Sequence, residues 1–155
     1  MNENLANKVC LITGATSGIG EESAKELNKM GAEIIFIARN EEKGNRLKQE
    51  LQNDSGRTAT MIIADLSSQA EVKKAANEFL ALNKPLDILL NNAGIMNRER
   101  NETVDGFEEV FSVNHLAYYT FSILLAEKLK ETKESRVINV ASGAHQFVKD
   151  MNFED

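Results

Sequence analysis

Five short, mostly apolar runs recur along the chain, at 9–13, 34–38, 60–64, 86–90 and 137–141. Most of these runs are continuous rather than alternating in hydrophobicity. A continuous apolar run is typical of a strand that is buried on both faces, as in a parallel sheet covered by helices. The pattern therefore predicts five buried strands.

The segments between these runs carry helical periodicity. A helix is predicted over 19–30, with Gly31 as its stop signal. Its apolar face consists of Ile19, Ala24, Leu27 and Met30. The residues at 68–71 have the S-x-x-E form of a capping box, and a long helix is predicted over 113–130. Strands that alternate with helices indicate right-handed βαβ units, and hence an α/β fold with a doubly wound parallel sheet.

Composition bounds the class of protein. The 155 residues, with 42% apolar and 27% charged side chains, predict one globular domain over 1–155. A net charge of -6 without any basic run argues against a nucleic-acid partner. Cys10, the one cysteine, lies in an apolar run and is expected to be a buried core residue in a reducing compartment.

No targeting or membrane segment stands out in the sequence. The N-terminus is polar, and the longest nearly apolar run, 116–126, is too short to span a bilayer. We therefore expect a soluble, cytoplasmic protein without a membrane partner. The two histidines have no supporting cysteines or carboxylate array, so we expect no metal site.

The first predicted strand leads into a glycine-rich segment, Thr13-Gly14-Ala15-Thr16-Ser17-Gly18-Ile19-Gly20, after which a helix begins. Such a turn leaves backbone N–H groups and the positive end of the helix dipole facing the space above it. Glycine lets the backbone approach a pyrophosphate without an intervening Cβ. The predicted contacts to a dinucleotide cofactor are Gly14, Thr16, Ser17, Gly18 and Ile19.

Two alternatives bear on this turn. A P-loop requires Gly-Lys-Ser/Thr, and Glu21 follows Gly20 here, so that motif is excluded. A tight turn that binds nothing remains open. On the cofactor hypothesis, Gly14→Val should abolish dinucleotide binding more completely than it harms folding, because the new side chain would occupy the space of the pyrophosphate.

The second predicted strand ends at Arg39-Asn40, without the acidic residue with which NAD-binding Rossmann domains hold the ribose 2′-hydroxyl. A guanidinium complements a 2′-phosphate, whereas a carboxylate repels it. Arg39 and Asn40 are therefore predicted to contact NADP, with NAD the less favoured cofactor. The alternative is a solvated Arg39 beside an Asn40 that merely caps the next helix.

Four further motifs follow in order along the chain. They are Asp65-Leu66 after the third strand, Asn91-Asn92-Ala93-Gly94 after the fourth, Val113-Asn114 in the long helix, and Ser142 after the fifth strand. Together with the glycine-rich turn, they resemble the TGxxxGIG and NNAG signatures, the adenine-contacting pair, the helix asparagine and the catalytic serine of the short-chain dehydrogenase/reductase superfamily. The segments 103–116 and 136–145 are similar to its retinol-dehydrogenase-like branch.

The resemblance implies an NADP-dependent oxidoreductase that transfers hydride between nicotinamide and a small-molecule carbonyl or alcohol. It implies that Ser142 orients the carbonyl and that Asn114 supports a water-linked proton relay. The cofactor contacts that it adds are Asp65, Leu66, Asn92, Ala93, Gly94 and Val113. Taken singly, the Asn91–Gly94 motif is an ordinary β-turn, Ser142 a strand-end serine and Asn114 a polar helix residue.

The resemblance also implies a catalytic Tyr-x-x-x-Lys motif and a further strand beyond the fifth. The family's Tyr-x-x-x-Lys motif does not occur in the sequence, so we expect the N-terminal portion of such an enzyme, inactive alone. The expected Rossmann sheet is incomplete, with strand order 3-2-1-4-5 and an exposed apolar edge at 137–141. That edge suggests a homo-oligomer or a complementing C-terminal half as partner. A non-catalytic dinucleotide-binding or interaction module, and a non-expressed remnant, remain the alternatives.

Overall fold

The computed structural model describes residues 4–147, so both ends of the predicted 1–155 domain lie outside the described residues. The strands are β1 (Val9–Thr13), β2 (Glu33–Ala38), β3 (Thr60–Ile63), β4 (Ile88–Asn91) and β5 (Arg136–Asn139). They form one parallel sheet in the order β3-β2-β1-β4-β5. The predicted fold class and strand order are confirmed.

Helices cover both faces of this sheet. They are α1 (Gly18–Lys29), α2 (Glu41–Ser55), α3 (Gln69–Ala81), α4 (Glu109–Phe111), a π-helical turn (Ser112–Leu116), α5 (Ala117–Leu124), α6 (Ala126–Glu131) and a 3₁₀ turn (Gly143–Phe147). Leu11 of β1 faces a core that includes Phe79 of α3 and Phe121 of α5. Its neighbour Ile12 faces the other core, with Leu47 of α2. Because both faces are covered, the strands are continuous apolar runs.

The predicted helix over 113–130 is wrong in its start and its continuity. Helical structure already begins at Glu109, because the Glu108 carboxylate accepts hydrogen bonds from two N–H groups of the first turn at 2.9 and 2.6 Å. A π-helical turn follows, and the helix breaks again at Leu125, where φ is -98° and ψ is 4°. Apolar spacing does not distinguish a continuous helix from these closely joined segments.

The predicted apolar face of α1 is wrong at its first position. Ile19 is 69% exposed, whereas Ala24 is fully buried. The buried face also includes Asn28, whose amide donates to the Leu51 carbonyl at 2.9 Å and so ties α1 to α2. A satisfied buried amide can take a core position that hydrophobicity alone does not reveal.

The predicted capping box at the start of α3 is only half formed. The Ser68 hydroxyl accepts from the Glu71 N–H at 3.4 Å, as expected for a helix N-cap. The Glu71 carboxylate does not turn back to Ser68 but accepts from the Asp65 N–H at 2.6 Å. This contact fixes the segment that follows β3, which carries part of the candidate site.

β5 is the edge of the sheet and pairs with β4 on one side. Val137 and Ile138 are each 44% exposed, so the predicted exposed apolar edge at 137–141 is confirmed at these two residues; β5 ends at Asn139, and Val140 is half-buried against the core. Cys10 is fully buried in β1, as predicted. Over residues 4–147, no helix is long and apolar enough to cross a membrane.

Candidate functional site

The carboxyl ends of β1 to β4 meet at one edge of the sheet and border a groove of about 170 Å³, here called the strand-end groove. Parallel α/β sheets bind ligands at this edge, where the chain connections diverge to opposite faces. The predicted site residues that line the groove are Gly14, Thr16, Arg39, Asp65, Leu66, Ala93, Gly94 and Val113.

A larger cavity of about 1140 Å³ opens beside α5 and the end of β5, and is here called the α5 cavity. The predicted site residues that line it are Ile19, Asn114 and Ser142. The two residues with predicted catalytic roles therefore face the same space. The other predicted site residues, Ser17, Gly18, Asn40 and Asn92, line neither space but are each adjacent in sequence to a residue that does.

Gly14 is required by the protein's own packing. Its φ is 67°, in the left-handed region that favours glycine, and a Cβ there would lie 2.6 Å from the Cα of Ala93. The reason given above for Gly14→Val is therefore wrong, because the side chain would collide with the backbone of the β4 turn. Gly18 also has a left-handed φ, 55°, but a Cβ there meets nothing within 4 Å. A Cβ at Gly18 would thus enter open space, whereas a Cβ at Gly14 would collide with the turn after β4.

The glycine-rich turn is fastened to the turn after β4 by a set of hydrogen bonds. The Asn92 side-chain amide donates to the carbonyls of Thr13 and Gly14, both at 3.1 Å. The Thr13 hydroxyl accepts from the N–H groups of Asn92 and Ala93 at 3.0 and 3.1 Å. Thr13 is fully buried and was not among the predicted site residues. Its position as the first residue of the glycine motif was the available signal.

The N-terminus of α1 differs from those of α2 and α3. The Asn40 side chain caps α2 by accepting from Lys43 N–H at 2.8 Å, the alternative role considered above, and Ser68 caps α3. Ser17 is the N-cap residue of α1, but among the described residues no side chain makes a capping hydrogen bond there. The first N–H groups of α1 thus remain available to an anionic group at the glycine-rich turn.

Glu21 lies in the first turn of α1, where an unpaired carboxylate would oppose an anion. Its carboxylate is paired with Lys25 at 2.9 Å and with Arg46 of α2 at 3.1 Å. Arg46 also lies 3.5 Å from the Thr16 carbonyl. No sequence motif predicts this network, because the partners lie on two helices and only their packing brings them together.

Arg39 is 67% exposed at the groove, and its Nη1 lies 3.8 Å from Asp65 Oδ2. A pair this long and this exposed is weak, so the guanidinium can turn toward another anion at little cost. Arg39 and Asp65 both line the strand-end groove, one from the end of β2 and one from the end of β3. The arrangement supplies a cation and a hydrogen-bond acceptor at the same end of the groove.

The Asn114 side chain lies in the π-helical turn, a local geometry frequent at functional sites. Its amide oxygen accepts from the Ile95 N–H at 2.8 Å and its amide nitrogen donates to the Ile95 carbonyl at 2.9 Å. The Ser142 hydroxyl is exposed and accepts from the Ala144 N–H at 3.1 Å. Both polar atoms of the Asn114 side chain are thus bonded to the backbone of Ile95.

The two tyrosines near Asn114 differ in environment. The Tyr118 hydroxyl donates to the Ala93 carbonyl at 2.7 Å, and burial raises the pKa of Tyr118 to about 12. Tyr119 is 61% exposed. Within residues 4–147, no group of three or more His, Cys, Asp or Glu side chains could hold a metal ion.

Comparison with known proteins agrees with this geometry. The short chain dehydrogenase family model matches residues 8–151. Human retinol dehydrogenase 11 is 43% identical over 144 residues, which is 92% of this chain and 45% of that protein. Mouse retinol dehydrogenase 12 is 40% identical over 155 residues, which is 99% of this chain and 49% of that protein. The chain thus spans about half the length of the curated relatives it matches.

A solved structure shares both the fold and part of the sequence. It is a protein from Escherichia coli CFT073 described as a short chain dehydrogenase and crystallised with NADPH. The TM-score is 0.76 with 27% identity, over 88% of this chain and 59% of that one. With a family match over nearly the whole chain and the strand order of that fold, this chain belongs to the short chain dehydrogenase family, in its retinol-dehydrogenase-like branch.

Proposed function

We propose that this chain binds NADP(H) across the glycine-rich turn and the strand-end groove, as the cofactor-holding part of an oxidoreductase that acts on a carbonyl or alcohol. The observation that carries the proposal is the N-terminus of α1, which begins at Gly18, where a Cβ would meet open space, and which no side chain within residues 4–147 caps. A pyrophosphate placed there receives free N–H groups and the positive end of the helix dipole.

The preference for NADP rests on Arg39. Its guanidinium is the cation at the ribose end of the proposed site and pairs only weakly with Asp65. A 2′-phosphate would offer it a closer and more highly charged partner, whereas the 2′-hydroxyl of NAD would not. The NADPH complex of the related Escherichia coli protein supports this preference.

The remaining chemistry belongs to the α5 cavity. A bound nicotinamide would supply or accept the hydride there. The Ser142 hydroxyl would hold the substrate oxygen, and the Asn114 side chain would keep the β4 turn in place. Tyr118 is a poor proton donor because its hydroxyl is already bonded and its pKa is raised to about 12. We propose that a Tyr-x-x-x-Lys segment, in further chain or in a partner, donates the proton beside Ser142.

Calorimetric titration of the chain with NADPH and NADH tests the binding proposal. We expect NADPH to bind about tenfold more tightly than NADH, the size of one exposed charge-assisted contact. Arg39→Asp should reverse this preference. Arg100→Asp changes the net charge equally at an exposed residue that does not line the groove, and should leave the preference intact. Equal affinity for the two cofactors would contradict the role of Arg39.

A turnover assay tests the proposed oxidoreductase activity. NADPH oxidation is followed with a panel of aldehydes and ketones, for this chain and for a chain extended through the Tyr-x-x-x-Lys segment of a matched relative. We expect the extended chain to be faster by at least 10²–10⁴-fold, the usual contribution of a positioned general acid. Comparable rates would show that the proton donor already lies within these residues. Tight NADPH binding without turnover in either chain would favour the non-catalytic alternative.

A further inference from the structure

Tyr118 is a residue that neither the sequence motifs nor the proposed reaction uses. It lies on α5, four residues after Asn114, and its ring borders the α5 cavity. Its hydroxyl crosses to the turn after β4 and donates to the Ala93 carbonyl at 2.7 Å. Ala93 is itself 6% exposed and lines the strand-end groove. One side chain therefore links the two spaces of the candidate site.

The turn formed by residues 92–95 is held from two opposite sides. On the β1 side, Thr13 and the Asn92 amide fasten it to the glycine-rich turn. On the α5 side, Asn114 exchanges two hydrogen bonds with Ile95, and Tyr118 supplies the third contact. The Tyr118 bond is the one that fixes the Ala93 carbonyl, at the centre of the turn.

We propose that Tyr118 is a positioning residue for the cofactor site, whose hydroxyl holds the Ala93 carbonyl and so fixes the wall that the 92–95 turn forms between the strand-end groove and the α5 cavity. The effect on cofactor affinity rests on the proposed function, whereas the anchoring of the turn does not. Without the hydroxyl, the nearly buried Ala93 carbonyl loses its partner, and the turn gains freedom that a bound dinucleotide must remove.

The test compares Tyr118→Phe with Tyr119→Phe. Both variants remove one phenolic oxygen from adjacent residues of α5 that line the α5 cavity, so an effect on that cavity is common to both; Tyr118 bonds the 92–95 turn, whereas Tyr119 is 61% exposed and does not line the strand-end groove. The first measurement is amide hydrogen exchange without cofactor. The Ala93 and Ile95 N–H groups are hydrogen-bonded to Thr13 and Asn114. We expect Tyr118→Phe to speed their exchange by about tenfold, with β1 and α5 unchanged, because one local hydrogen bond is lost.

The second measurement is NADPH affinity by calorimetry at a temperature where each variant is fully folded. We expect Tyr118→Phe to bind NADPH about tenfold more weakly than wild type, and Tyr119→Phe to match wild type. A merely structural role would lower the melting temperature and raise exchange throughout α5 while leaving NADPH affinity unchanged. Either that result or unchanged exchange at Ala93 and Ile95 would overturn the proposal.

Failure of NADPH binding and failure of the Tyr118 anchor are distinguishable. If wild type does not bind NADPH, the proposed function falls, and the exchange of Ala93 and Ile95 still decides whether Tyr118 anchors the turn. If Tyr118→Phe does not fold, the wild-type chain serves instead. Its Tyr118 hydroxyl proton should exchange slowly enough to be seen by NMR, with contacts to Ala93 and Gly94. A rapidly exchanging hydroxyl proton would overturn the anchoring.

Discussion

Alanine at Gly18 separates the binding role of the glycine-rich turn from its structural role. Gly18 has a φ of 55°, and its new Cβ would meet nothing within 4 Å. The cost to the fold is therefore that of one left-handed non-glycine residue, about 1–2 kcal/mol. Gly56, at the C-cap of α2, has a φ of 71° and equally open surroundings. Gly56→Ala thus serves as a control with the same backbone strain at a position remote from the groove.

Gly14→Ala should behave differently from both. It carries the same left-handed strain, and its Cβ would also lie 2.6 Å from Ala93 Cα and 2.9 Å from Ala93 N. Backbone atoms must shift to relieve these contacts, which adds about 1–3 kcal/mol. The total is about 2–5 kcal/mol, a large share of the roughly 5–15 kcal/mol that stabilises a typical domain.

These magnitudes convert into melting temperatures. For a chain of this size, 1 kcal/mol corresponds to about 2–4 °C, so Gly18→Ala and Gly56→Ala should each lower the melting temperature by about 2–8 °C. Gly14→Ala should lower it by about 4–20 °C. Circular dichroism melts of the three variants and the wild type measure the differences.

NADPH titration then measures the cofactor affinity of each variant. Gly56→Ala should bind NADPH as wild type does. Gly18→Ala should lose at least about tenfold, because its methyl group stands at the N-terminus of α1 where the pyrophosphate is proposed to approach. If Gly18→Ala and Gly56→Ala bind NADPH equally well, the glycine-rich turn is not the pyrophosphate site. If Gly14→Ala is as stable as Gly56→Ala, the packing argument for Gly14 is wrong.

Burial raises the pKa of the Cys10 thiol to about 12. Thiol-reactive reagents should therefore leave Cys10 unmodified in the folded chain and label it once the chain is denatured. Rapid labelling of the native chain would contradict the packing of β1. The Glu50 pKa is lowered by its hydrogen bond to Lys25, so its contribution to stability is present above the ordinary glutamate range and is lost as pH falls through the folded-state pKa. Glu50→Gln should therefore lower the melting temperature at about pH 7, and its effect should shrink as pH falls through the folded-state pKa of Glu50. A pH-independent difference would show that packing, not charge, causes the loss.

The strands of the sheet were predictable because each one is marked by an apolar run within a single short segment. β1, β2 and β4 are largely buried and therefore read as apolar runs, whereas β5 at the sheet edge is exposed; the strand order followed from the family resemblance. The observed ends differ from the predicted ones by one or two residues, because some strands are shorter than their apolar runs and others include a polar end residue. Asn91, for example, closes β4 in register with Asn139 of β5.

The site was predictable as a set of positions but not as a set of contacts. The motifs named the residues around the groove, yet the roles of Gly14 and Asn92 depend on the β1 and β4 turns touching each other. Thr13 and Tyr118 were missed for the same reason, because each acts on a turn that is distant in sequence. No periodicity within one segment can report such a contact.

The contact between Thr13 and Asn92 joins residues 79 positions apart in the chain. The local β1–α1–β2 unit can form early, whereas docking β4 on β1 must close a long loop and comes later. During synthesis, the capacity to bind a dinucleotide should therefore arise only after the β4 turn has left the ribosome. Once that turn has formed, a bound dinucleotide would stabilise the folded sheet by mass action. The cellular cofactor concentration would therefore influence what fraction of the chain escapes degradation by quality-control proteases.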